Sequence, residues 1–124
     1  MNILLDAMGG DNAPDANIKG ALKAINQIQA DITLIGKEEV IRQKIKEFTG
    51  KEMEEVSQRF KIKNATETIE MEDQPTMAIK HKKDSSMVVG FKMLKEGEGD
   101  VFISAGNSGA LLAGATLLVG RIKG

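Results

Sequence analysis

Residues 100–120 read DVFISAGNSGALLAGATLLVG. Val101, Phe102 and Ile103 are a short apolar run of β-formers. Ser104, Ala105, Gly106, Asn107, Ser108 and Gly109 form a tight loop of small polar residues, and residues 110–119 are strong helix formers with almost no polar group. The order predicts strand, loop and buried helix. Such a junction turns the N–H groups of the loop and the first helical turn toward one spot, where the helix dipole adds positive character. Gly106 and Gly109 permit a sharp turn, and Ser104, Asn107 and Ser108 offer side-chain hydrogen bonds. The stretch reads either as an anion site or as a turn with a helix cap. It carries GxxG rather than GxGxxG, and no lysine follows the second glycine.

The rest of the chain alternates strand and helix around this junction. Ile3, Leu4 and Leu5 predict a buried strand ending at Asp6. A second glycine-rich loop follows, Met8-Gly9-Gly10-Asp11-Asn12, with Pro14 in the first turn of a helix and Asn12 or Ala13 as its cap. Ile18, Ala21, Leu22, Ile25 and Ile28 recur at helical spacing. Residues 32–36 predict a second strand, 38–48 a helix with Val40, Ile41, Ile45 and Phe48 inward, 52–58 a short helical turn, and 60–64 a third strand. Residues 66–76 are irregular and acidic, and 76–81 form a turn of helix. Asp84 or Ser85 caps the next helix, which buries Met87, Val88, Phe91 and Leu94 and stops at Gly97.

This alternation predicts an α/β fold, a mostly parallel sheet with helices on both faces (α/β/α, Rossmann-like), as one domain over residues 1–124. Ligands of such sheets sit beyond the carboxyl ends of the strands. Both glycine-rich loops leave from such ends, so they are expected to line one crevice. A helix apolar all round needs cover. Either a partner supplies it, or the chain is the N-terminal part of a longer catalytic chain whose sheet is incomplete at this length.

Composition narrows the function. The net charge is −1, which argues against nucleic acid as the partner. The absence of cysteine excludes disulfides, thiolate metal sites and a cysteine nucleophile, and fits a cytoplasmic location. The 109–120 run is too short to span a bilayer, which needs roughly 20 apolar residues. No cofactor or metal site is expected. His81 is the sole histidine, and nothing in its spacing ties it to Ser85, Ser104 or Ser108 as a catalytic pair, so no catalytic residue is assigned. Met8, Met71, Met77, Met87 and Met93 read as core filling or as the lining of an acyl channel.

Three stretches taken together resemble a known family: DAMGGDNAP at 6–14, KKDSSM at 82–87, and SAGNSGA at 104–110 continuing to GRIKG at 120–124. In this order they resemble the PlsX-type bacterial phosphate acyltransferases of phospholipid synthesis (acyl-ACP:phosphate transacylases), over essentially the whole chain. The resemblance implies a fold related to phosphotransacetylases and isopropylmalate dehydrogenases. It implies a reaction in which inorganic phosphate displaces acyl carrier protein (ACP) from a fatty acyl thioester. It also implies a cytoplasmic homodimer peripheral to the inner face of the membrane. As a fragment, the 124 residues are expected to be inactive alone, because half of a wound sheet leaves an open edge and an uncovered face. Ser108 stands where the family has threonine, and Ile79-Lys80-His81 replaces an arginine-rich stretch.

On this reading Gly9, Gly10, Asp11 and Asn12 shape the crevice, and Ser104, Gly106, Asn107, Ser108 and Gly109 hold phosphate. Asp6 either orients the first loop or is an ordinary strand-terminal aspartate. Lys83 with the N–H groups of Ser85 and Ser86 reads as a further phosphate contact or as a basic turn with an N-cap. The run Lys80-His81-Lys82-Lys83 reads as a solvated face or as a steering patch for acidic ACP. Two rivals remain: a phosphotransacetylase acting on acyl-coenzyme A, and a non-catalytic anion-binding or interaction module.

Overall fold

The structure, a computed structural model, describes residues 1–115. The end of the apolar helix predicted to Val119, and the GRIKG stretch, lie outside the described residues. The elements are β1 (Asn2–Asp6), α1 (Asp15–Ile25), β2 (Asp31–Gly36), α2 (Glu38–Thr49), α3 (Met53–Val56), β3 (Phe60–Asn64), α4 (Pro75–His81), α5 (Ser86–Lys95), β4 (Val101–Ile103) and α6 (Ser108–Gly114). The strands form one sheet in the order β3-β2-β1-β4, and every ladder is parallel. The predicted α/β fold with a parallel sheet is therefore present.

Alternation along the strands explains why both faces are covered. Leu5, Ile32, Leu34, Phe60 and Ile62 join Ile18, Ala21 and Ile25 of α1 and Ile41 and Ile45 of α2 in one apolar cluster. Leu4 and Ile35 point the other way and meet Val89 of α5. A third cluster ties Ile79 of α4, Met87, Val88 and Phe91 of α5 and Ala110 of α6 together. Phe91 meets Phe102 of β4 edge to face at 5.0 Å. On the far side of β4, Val101 and Ile103 are 40% and 49% exposed.

Two local expectations change. Pro14 is the N-cap of α1 rather than its first helical residue, and no side chain caps this helix. The turn before α1 already supplies acceptors, because the Asn12 and Pro14 carbonyls take the N–H groups of Ala16 and Ile18, both at 3.0 Å. The choice between Asp84 and Ser85 falls to Ser85, whose Oγ accepts from Val88 N–H at 3.2 Å. Asp84 instead accepts from the N–H of Thr66 at 3.0 Å.

The strand order sets the place of the site. From β1 the chain steps through β2 to β3, then crosses to the opposite side of β1 to lay down β4. The direction of winding therefore reverses between β1 and β4. That gap is the topological switch point, where open parallel sheets bind their ligands.

Candidate functional site

The two glycine-rich loops meet at this switch point. Asp6 ends β1 and is 2% exposed. Its Oδ1 accepts the Met8 N–H at 3.0 Å, and its Oδ2 accepts the hydroxyl of Ser104, just past β4, at 2.8 Å. The Ser104 Oγ accepts in turn from Gly106 N–H at 3.1 Å. A Cβ at Gly9 would lie 2.6 Å from Asp6 Oδ2 and 3.1 Å from Gly106 Cα. Gly10 has φ +98° and lies against the Ala105 carbonyl. The loops expected to share a crevice are thus in backbone contact.

Asn17, in the first turn of α1, gave no signal in the sequence. Its Nδ2 donates to the carbonyls of Asp6, Ala7 and Gly9 at 3.2, 3.1 and 2.8 Å. In a trans peptide the N–H points opposite its C=O. The Gly9 carbonyl faces Asn17, so the Gly10 N–H is aimed away from α1. Among the described residues none accepts a hydrogen bond from the N–H of Gly9, Gly10, Asp11 or Asn12. The side chains of Asp11 and Asn12 are exposed.

Asn107 is committed elsewhere. It is 6% exposed, its Oδ1 accepts from Ala110 N–H at 3.0 Å, and it caps α6. Its Nδ2 donates to the carbonyls of Glu70, Met71 and Asp73 at 3.1, 3.2 and 2.9 Å. The side chain expected at an anion therefore anchors the acidic segment to the head of α6. The N–H groups of Ser108 and Gly109, in the first turn of α6, lack helical acceptors as in any first turn.

The acidic segment is held from its other side by Lys82, whose Nζ donates to Asp73 Oδ2 at 2.7 Å and Thr68 O at 2.8 Å. Asp73 also accepts the Glu70 N–H at 2.8 Å. The Lys82 hydrogen bond first, and the Glu70 N–H second, hold the Asp73 carboxyl below the usual carboxylate range. A depressed folded-state value contributes stability above the unfolded pKa and loses it as pH falls through the folded one. The segment is therefore expected to stay docked from neutrality down to about pH 4 and to loosen below it. The Glu70 amide shift followed by NMR checks this, and Asp73→Asn should abolish that acid transition.

The third motif, read as a further phosphate contact or as a basic turn with an N-cap, has its serines used internally, with Ser85 as the N-cap of α5. Ser85 and Ser86 are 0% and 1% exposed. Their N–H groups donate to Lys82 O and Glu67 O, each at 3.1 Å, because residue 67 bridges to residue 85. Neither N–H is open to phosphate. Lys83 is exposed and lines a cavity of about 260 Å³ with Lys63, Lys92, Glu96 and Glu98, to which no glycine-loop residue contributes. The basic run is not uniformly solvated, since Lys82 is tied while Lys80 and Lys83 are exposed. Met87 is buried in the core, whereas Met71 and Met77 are exposed. A cavity of about 580 Å³ among Lys37, Glu38, Arg42 and Asn64 opens beyond β2 and β3, but Arg42 there is already paired with Glu38 and Glu54. Among the described residues no group of three acidic or histidine side chains is placed to hold a metal. No helix among them is long and apolar enough to cross a membrane.

Against known proteins, residues 1–124 match the family described as "Fatty acid synthesis protein". A phosphate acyltransferase of Acetivibrio thermocellus is 56% identical over 125 residues, covering 100% of this chain and 35% of the relative. Phosphate acyltransferases of Clostridioides difficile and Alkaliphilus oremlandii are 49% and 44% identical, again over the whole chain and 35% and 36% of their own length. The chain spans about a third of the length of the curated relatives it matches.

Proposed function

The chain belongs to the fatty acid synthesis protein family, and on that premise we propose that it forms the phosphate-binding part of an acyl-ACP:phosphate transacylase. Residues 1–124 are then the N-terminal part of a larger α/β catalytic chain, working as a cytoplasmic homodimer peripheral to the membrane. One observation carries the reading. Two glycine-rich loops touch at the switch point, and the first has four consecutive N–H groups without an acceptor among the described residues. Free N–H groups at the carboxyl edge of a parallel sheet suit a small oxyanion.

The chemistry asks little more of these residues. A phosphate oxygen attacks the thioester carbonyl, and the carbonyl oxygen becomes an oxyanion that N–H donors stabilise. The C–S bond then breaks, and the pantetheine sulfur of ACP leaves as a thiolate. An alkyl thiol is acidic enough to leave as its thiolate without an obligatory general acid. Holding phosphate in place supplies much of the advantage. Gly9, Gly10, Asp11 and Asn12 present the donors of the first loop, and Ser108 and Gly109 those of the second. Lys80 and Lys83 remain available to steer acidic ACP.

The test is phosphate-dependent loss of palmitoyl-ACP, with acyl phosphate trapped by hydroxylamine, using these residues continued to the length of the relatives. Trapped hydroxamate from palmitoyl-ACP but not from palmitoyl-coenzyme A supports the transacylase. Turnover of coenzyme A thioesters alone would make the protein a phosphotransacetylase, and inertness toward both would leave only a binding module.

A further inference from the structure

We infer that Asp6 is a positioning residue for phosphate, acting through the Ser104 hydroxyl as a strut between the two glycine-rich loops. The inference rests on the transacylase reading for its ligand, and on geometry for the strut itself.

The Asp6 carboxylate is 2% exposed, and among the described residues no lysine, arginine or histidine pairs with it. A buried carboxylate without a cation is costly unless hydrogen bonds satisfy it. Asp6 is satisfied by one donor from each loop, the Met8 N–H at 3.0 Å and the Ser104 hydroxyl at 2.8 Å. A group needed only to end a strand would not have to reach the neighbouring strand. Its two oxygens instead span the switch point, and hydrogen bonds to an ionised acceptor are the stronger kind.

Ser104 completes the strut. Its hydroxyl proton goes to Asp6, and its oxygen takes the Gly106 N–H at 3.1 Å. This turns one N–H of the second loop inward and leaves Ser104 itself committed, so it is not a phosphate ligand. Gly9 sits in the angle between the two, with its hypothetical Cβ 2.6 Å from Asp6 Oδ2. Asn17 grips the same loop by three carbonyls from the α1 side. The first loop is thus clamped by its carbonyls below and by the carboxylate strut across the gap, and its remaining N–H groups are held in fixed directions.

The strut predicts a pattern that neither a reacting carboxylate nor a merely structural one would give. In a chain of the relatives' length, Ser104→Ala should raise the KM for phosphate about tenfold while kcat at saturating phosphate stays within about threefold. Ser104→Thr, which keeps the hydroxyl, should restore the KM. Asp6→Asn keeps an acceptor for Met8 N–H and offers its own N–H to Ser104 Oγ, so it should fall between wild type and Ser104→Ala, with an unchanged pH profile of kcat. An Asp6→Asn variant that folds but loses kcat and its pH dependence would make Asp6 a reacting group and overturn the strut. An unchanged phosphate KM in Ser104→Ala would overturn it as well. The thermal shift produced by inorganic phosphate separates this inference from the reading beneath it. Wild-type protein that makes no acyl phosphate sinks the transacylase, but a phosphate shift lost in Ser104→Ala and kept in Ser104→Thr still sustains the strut. Equal phosphate shifts in wild type and Ser104→Ala would remove it.

Discussion

Asn107→Ala is expected to destabilise the protein by about 2–4 kcal/mol and to release the acidic segment from the head of α6. The magnitude has two sources. Loss of the Oδ1 acceptor for Ala110 N–H removes a helix cap, worth about 1 kcal/mol. Loss of Nδ2 leaves the Glu70, Met71 and Asp73 carbonyls without that donor at a site where Asn107 itself is 6% exposed. Each poorly satisfied buried group costs about 1–3 kcal/mol, reduced where water can enter. Asn107→Ser separates the two terms. Serine caps a helix well but is too short to reach three carbonyls, so it should recover about the cap and leave the segment loose. Thermal melting reads the sum, and amide exchange over residues 70–74 reads the anchoring. A variant that melts like wild type with unchanged exchange there would show that Asn107 is not the anchor. Phosphate use should fall with the anchoring, because α6 carries the N–H groups of Ser108 and Gly109.

The same residue shows how far the sequence could be read. The short apolar runs of the strands and the 3.6-period helices decide the layers, since a strand apolar on both faces needs cover on both and a helix's buried face follows its spacing. The strand–loop–helix junction at residues 101–114 is legible for the same reason. What spacing cannot show is where a polar side chain finds its partner. Asn107 was legible as a polar residue in a glycine loop, but its three carbonyl acceptors lie 34–37 positions away. Asn17 reads as one more polar residue on an amphipathic helix until the chain before it folds back beneath its amide. Ser85 and Ser86 carry the composition of an anion turn, yet the bridge from Glu67 consumes one of their N–H groups and Lys82 O the other. For Asn107 and Ser86 the partner is backbone from a distant part of the chain, which spacing along the sequence does not reveal.

Gly9→Ala is expected to lower kcat/KM for phosphate about 10–100-fold and stability by about 1–3 kcal/mol. The added methyl would sit 2.6 Å from Asp6 Oδ2 and 3.1 Å from Gly106 Cα. The second neighbour is backbone and cannot rotate away. The first is the end of a short side chain, but its movement is opposed by hydrogen bonds to Met8 and Ser104. Relief therefore comes from parting the loops, which misplaces donors that must converge on one oxyanion. Gly10→Ala adds a different strain, since its φ of +98° disfavours any L side chain and the Ala105 carbonyl lies 3.0 Å from the new Cβ. Gly20→Ala is the control: it sits inside α1 with nothing within 4 Å of its Cβ, and should be neutral or stabilising by up to about 1 kcal/mol. Steady-state kinetics in phosphate and thermal melts of the three variants check the set. Normal phosphate kinetics in Gly9→Ala would mean that the loops tolerate separation, and that their contact does not set the anion site. Loss of phosphate use in Gly9→Ala and Gly10→Ala well below their own melting temperatures, with Gly20→Ala unaffected, would tie phosphate use to the close approach of two backbones at the β1–β4 gap, because the loss would then occur in folded protein.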